Sequence, residues 1–122
     1  MEDLTQKKCK ACEGLEKPLT LQEVTPYLEQ VPEWQISGGG QAIERSFDFK
    51  DFKEAMNFIN KVAELAEAEG HHPDIFLYGY NKVRIILSTH AIKGLSENDF
   101  IEAAKIDKIL EGKNKSEGEK ST

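Results

Sequence analysis

The chain has 122 residues, with 16 Lys and Arg against 22 Asp and Glu, a formal net charge of −6, and 39% hydrophobic and 31% charged residues. That balance belongs to one globular domain with a small core, and it lacks the clustered positive charge that sequence-independent nucleic-acid binding needs. No apolar run approaches the roughly 20 residues that cross a bilayer, and the opening "MEDLTQKKCKAC" has no apolar signal core, so the expectation is a cytoplasmic protein with neither nucleic-acid nor membrane partners.

Residues 1–18 are polar, end at Pro18 and read as a flexible arm. They hold the only two cysteines, Cys9 and Cys12, in a C-x-x-C pattern. A redox dithiol would open a helix after a buried strand, and a structural zinc site would need two further ligands. Reduced thiols on a mobile arm is the simpler reading, and zinc completed across an oligomer interface is its rival.

The domain proper spans 19–110. Thr20 followed by Glu23 is a capping-box pattern, and Leu21, Val24, Leu28 and Val31 recur at helical spacing over 21–31. Pro26 inside that run predicts a kink or a late start, since an interior proline costs roughly 3 kcal/mol. "EWQIS" and "QAIERSFDF" read as two strands around Gly38, Gly39 and Gly40, a hairpin by period and turn chemistry. From 51 to 69, Phe52, Ala55, Met56, Ile59, Val62, Ala63 and Ala66 recur at steps of three and four, and Gly70 supplies a stop. Phe58 and Leu65 fall outside that stripe, which leaves apolar surface for a neighbouring copy.

"DIFLYGY" and "KVRIILSTH" read as a second strand pair joined tightly near Asn81. In "LSENDFIEAAKIDKIL", Ser96 stands as N-cap with Asp99 at the third helical position. Residues 111–122 contain no apolar residue and read as a disordered polar tail. The order α-β-β-α-β-β-α gives an α+β fold: a four-stranded, mainly antiparallel sheet with helices packed on one face.

Chemistry concentrates in "EAEGHHPDIF". Gly70 ends a helix and Pro73 biases His72 toward extended backbone, so His71 and His72 point to opposite sides of the chain and chelate one metal poorly. The hairpin pairs the strand after His72 with the strand ending near His90, which brings all three histidines together. Glu67 lies one helical turn before His71, and Asp99 opens the last helix nine residues after His90. Taken singly, each carboxylate is as readily a solvated face residue or a helix-dipole partner.

"EAEGHHP", then Tyr80, "STH" at 88–90 and "GLSENDF" around Asp99 resemble the signature of the pterin-4a-carbinolamine dehydratases. "FDFKDFKEAMNFINKVAELAE" is similar to that family's central helix, "VPEW" to its first strand entry, and "KKCKAC" to an arm of some bacterial members. The likeness covers about 19–110; Pro26 and a loop one residue longer than in the animal form depart from it. The resemblance implies dehydration of a 4a-hydroxytetrahydropterin to quinonoid dihydropterin and water, in tetrahydropterin recycling beside an aromatic amino-acid hydroxylase pathway. It implies catalytic roles for His71, His72, His90, Glu67 and Asp99, and pterin contacts from Gly70, His71, His72, Pro73, Ser88, Thr89, His90 and Ala91. Imidazoles titrating near neutrality can carry such proton transfers with no metal and no cofactor. The resemblance also implies a homodimer or homotetramer. Two alternatives stand beside it: a non-catalytic, coactivator-like interaction protein and a zinc-binding protein.

Overall fold

Thr20 opens the first helix as a capping box: its hydroxyl accepts from the Glu23 amide at 3.2 Å, while the Glu23 carboxylate accepts from the Thr20 amide at 2.9 Å. The computed structural model describes the backbone of residues 3–10 and 17–121, with side chains through residue 111. Helix α1, Leu21–Gln30, neither starts late nor ends at Pro26. Proline withholds one donor, and Gln22, four residues back, is exposed, so water can take that carbonyl. Its inward side is Val24, Leu28 and Val31, whereas Leu21 is 66% exposed.

Strand β1, Gln35–Ser37, is shorter than its sequence suggested, because Trp34 turns into the core and donates its indole N–H to Asp107 at 2.9 Å. It pairs antiparallel with β2, Ala42–Asp48, around a turn in which Gly38, Gly39 and Gly40 all have positive φ. Residues with a Cβ rarely adopt that backbone, so three glycines here are a requirement of the hairpin.

Asp51 caps α2, Phe52–Glu69, by accepting from the Glu54 amide at 2.9 Å. The buried stripe of this helix is Ala55, Phe58, Val62 and Ala66. The apolar surface expected from Phe58 is therefore corrected: that ring is fully buried, tilted against Phe47 and Phe49 at 4.8 and 5.0 Å between centroids. Leu65 is half-buried against the core, and Phe52 is the residue left 52% exposed. The repeat alone does not decide which ring goes inside; Phe58 is buried because it meets the rings of Phe47 and Phe49, which removes more apolar area from water.

Strands β3, Asp74–Tyr78, and β4, Lys82–Leu87, complete an antiparallel sheet in the order β1-β2-β4-β3. Val83, Ile85 and Leu87 of β4 lie opposite Phe47, Arg45 and Ile43 of β2 and form the buried face, while Lys82 and Arg84 point outward. Helix α3, Glu97–Ser121, brings Phe100, Ile101 and Ile106 to the same core. Asp107 ties it to the sheet through Arg45 at 2.7 Å. Its backbone remains helical beyond Leu110, over the stretch expected as a disordered tail; propagation from a formed helix fixes one residue per bond gained.

Residues 3–10 do not stand off as the free arm their polarity suggested. A short turn, Leu4–Gln6, places Leu4 in the core with no exposed surface. Lys7 pairs with Glu97 at 2.6 Å, and Lys8 donates to the Ala68 carbonyl at 3.1 Å. Cys12 lies outside the described residues.

Candidate active site

Gly70, at φ 67°, ends α2 in the left-handed region, and the amides of Gly70 and His71 both donate to the Ala66 carbonyl. This reversal turns the His71 ring toward α3. There its Nε2 meets Asp99 Oδ1 at 2.6 Å, with the imidazole 11% exposed and the carboxylate fully buried. Asp99 is held from behind: its Oδ2 accepts from the Thr89 hydroxyl at 2.9 Å and from the Ser96 amide at 3.0 Å. The Ser96 and Thr89 hydroxyls are 2.7 Å apart, and the Asn98 amide donates to Ser96 Oγ. With Thr89 committed as donor to Asp99, the Ser96 proton goes to Thr89, so the chain of donors runs one way and ends on the carboxylate.

His72 points the other way, as its extended backbone implies, and its Nε2 meets Glu67 Oε2 at 2.5 Å in an exposed pair. The sequence placed Glu67 one turn from His71, so this is a correction of partner. The left-handed Gly70 ends the helical spacing before residue 71, leaving His72 the ring that swings back over the last turn of α2. His90 stands exposed in a short turn, His90–Ile92, because β4 ends at Leu87 and not at residue 90 as the alternation suggested. A Thr89–Gly94 bridge closes that turn and fixes its direction.

Asp74 lies opposite Ile86 in the β3–β4 ladder, so the hairpin does bring residues 71 and 72 to the end of β4. A cavity of about 260 Å³ is lined there by His71, His72, His90, Ser88, Thr89 and Ala91, with Gly70 at its edge. Pro73 is not among the lining residues; Glu67 and Asp99 stand behind the imidazoles. A second hollow of about 430 Å³ shares Ser88, Thr89 and His90 and extends toward Gln41 and Lys93.

Three contributors escaped the sequence reading. Lys10 and Asn98 line the cavity, joined by reciprocal bonds: the Lys10 amide donates to Asn98 Oδ1 at 2.9 Å, and Asn98 Nδ2 donates to the Lys10 carbonyl at 2.6 Å. Glu102, fully buried, follows Asp99 by one turn. Its position hinted at this, since residues 99, 102 and 106 share one side of the helix, but a helical glutamate ordinarily faces water.

These surroundings move the titrations. Burial is the largest influence on His71 and pulls its pKa down, but the Asp99 hydrogen bond, the Asp99 charge and the Glu102 charge together raise it above its ordinary value. Burial pushes the Glu102 carboxyl up to about 7; Glu69 and Asp99 push the same way and His71 opposes them. Burial, with Glu102 and Glu69, lifts the Cys9 thiol to about 12, so it stays protonated. Among the described residues, no group of three or more His, Cys, Asp or Glu side chains is arranged to hold a metal ion.

Fold and site together define a small α+β protein whose cavity presents three imidazoles, one of them charge-tuned by a buried carboxylate. A family model described as pterin 4 alpha carbinolamine dehydratase matches residues 17–109. A protein of Halorhodospira halophila, provisionally named pterin-4-alpha-carbinolamine dehydratase, is 50% identical over 107 residues, covering 87% of this chain and 96% of its own. A crystal structure titled as a transcriptional coactivator/pterin dehydratase from Brucella melitensis superposes with a TM-score of 0.71 at 40% identity, over 76% of this chain and 98% of that one. A pterin dehydratase-like protein described as a RuBisCO assembly factor in the alpha-carboxysome matches with a TM-score of 0.53 at 26% identity, over 62% of this chain and 86% of its own. The chain belongs to the pterin-4a-carbinolamine dehydratase family. Among the described residues, no helix is long and apolar enough to cross a membrane.

Proposed function

We propose that this protein dehydrates a 4a-hydroxytetrahydropterin to quinonoid dihydropterin and water by histidine acid–base catalysis. The observation that carries the reading is the His71–Asp99 pair at the lip of a cavity shared with His72 and His90. In the reaction the C4a–O bond breaks, the oxygen takes a proton and leaves as water, and a ring N–H gives up a proton to restore neutrality. His71, its Nε2 bonded to Asp99 and its charged form favoured by that carboxylate, suits the donor at the leaving hydroxyl through its other ring nitrogen. His90, exposed across the cavity, suits the acceptor of the ring proton. His72, braced by Glu67, positions the ligand. Ser88 and Thr89, at the end of β4, offer donors and acceptors to the amide-like edge of the pterin.

Initial rates with a 4a-hydroxytetrahydropterin, measured against a no-enzyme control, test this reading. Turnover persists after exhaustive chelation, and His71→Ala or His90→Ala lowers it by roughly 10²–10⁴-fold, the range for a positioned acid or base. Full activity in both variants, or activity lost to chelator and restored by zinc, overturns it.

Two similar proteins favour a second reading, one described as a transcriptional coactivator/pterin dehydratase and the other as a RuBisCO assembly factor. A folded protein without turnover would select that scaffold role. Either role suits a cytoplasmic homo-oligomer, for which the exposed Phe76 and Tyr78 on edge strand β3 supply apolar surface. Light scattering at micromolar concentration then gives a dimer or tetramer; a monomer refutes the assembly.

A further inference from the structure

Three acidic side chains gather where α2, α3 and the N-terminal segment meet. Two of them have their partners. Asp99 takes His71, Thr89 and the Ser96 amide. Glu69 accepts from Lys105 at 2.7 Å and from the Cys9 amide at 2.8 Å. Glu102 is the third: it has no exposed surface, and both its carboxyl oxygens are buried without a hydrogen-bond partner among the described residues. Around it are Asp99 on its own helix, Glu69 of α2 with its partner Lys105, His71 and His72 of the following loop, and Cys9 of the N-terminal segment.

A carboxylate desolvated without donors takes a proton unless a cation lies close by. Lys105 is held by Glu69, His72 is held outward by Glu67, and Cys9 stays a neutral thiol. His71 remains as the cation that answers to Glu102, and its own bond is spent on Asp99, one helical turn earlier.

We propose that Glu102 is a positioning residue that acts through His71, its charge setting how firmly that imidazole holds its proton. Among the described residues Glu102 neither lines the cavity nor meets a donor, so its influence passes through the low-dielectric space behind His71. The raised His71 agrees with this, since the Glu102 charge is one of the influences that lift it; burial pushes the Glu102 carboxyl up to about 7, and the His71 charge opposes that rise. Two groups interacting near neutral pH titrate as a pair, and the imidazole then loses its proton in a range set jointly with the carboxyl. The inference rests on the reading of His71 as a proton-transfer group, but its test does not require turnover.

The test is the His71 imidazole titration followed by NMR from pH 5 to 9 in the ligand-free full chain and in Glu102→Gln. The expected result is a downward move of the His71 midpoint by about half a unit or more, at the lower edge of what a nearby charge does. Should Glu102→Gln fold poorly, Glu102→Leu removes the same charge with an apolar group and is read the same way. The limb of the pH–rate profile controlled by His71 moves down with the midpoint while KM stays near wild type. A His71 curve superposable on wild type in the folded variants overturns the proposal, even where thermal stability changes. Absence of pterin turnover in the wild-type protein would sink the dehydratase reading and leave the NMR comparison to decide the role of Glu102.

Discussion

Asp99 gives one oxygen to His71 and has its other fixed by Thr89 and Ser96, so it can neither rotate away nor take water as a substitute. Asp99→Asn keeps the shape and removes the charge. The His71 pKa then falls, because burial is left less opposed, and turnover drops by on the order of 10²-fold at neutral pH. His72→Ala is the contrast. Its pair with Glu67 is exposed on both sides, and exposed pairs contribute little, so the loss appears in KM more than in kcat. Steady-state kinetics of the two variants side by side checks both, and equal kcat losses would refute the division of labour. The convergence of three histidines was legible in the sequence, because the connectivity of one hairpin suffices to bring 71, 72 and 90 together. The pairing of carboxylates was not: spacing joined Glu67 to His71, and one left-handed glycine reassigned the partners. Glu102 was passed over because glutamate on a helix ordinarily faces water, and only the tertiary packing shows that this one does not.

The N-terminal segment shows how an element can be hidden by its composition. Leu4 is one apolar residue in a polar stretch, too little to suggest order from sequence, yet it is fully buried and its amide is bonded to Gln30. Cys9 and Lys10 then dock on Glu69 and Asn98, which carries the strand of chain to the cavity edge. Leu4→Ala is therefore expected to lower stability by about 2–4 kcal/mol, read as a shift in the urea midpoint at unchanged slope. Deleting residues 1–10 should destabilise at least as much and also weaken substrate binding through the lost Lys10–Asn98 contact. A deletion with wild-type midpoint and KM would restore the picture of a dispensable arm. The three principal helices and four strands, by contrast, were readable because each carries its own period and its own stop. The phase of α2 was not, since Phe58 lies off the stripe that begins at Phe52 and the choice of phase lies with the aromatic cluster of Phe47 and Phe49.

For the whole molecule, the buried acid and the raised imidazole tie folding to pH. Glu102 has a folded value of about 7 against an ordinary 4.5, and His71 lies above its ordinary 6.5. A raised folded value means that the native state keeps a proton the unfolded chain has already released. The stabilisation is then complete below the unfolded value and is lost as pH rises through the folded one. For Glu102 that loss runs from about pH 4.5 through 7, and for His71 from about 6.5 upward, so both act in the same direction across neutrality. Glu69, where bonds from Cys9 and Lys105 outweigh burial, and Asp3, bonded by Thr5, have lowered values and act oppositely, but only at the acid end. The thermal midpoint is accordingly expected to fall between pH 5 and pH 8. Glu102→Leu should flatten that fall and raise the midpoint more at pH 8 than at pH 5, because it removes a carboxyl whose charged form burial disfavours. Thermal unfolding by circular dichroism at four pH values, wild type beside variant, decides the matter. Parallel curves for the two proteins would mean that Glu102 reaches solvent or a donor in the folded state and is not the buried acid described.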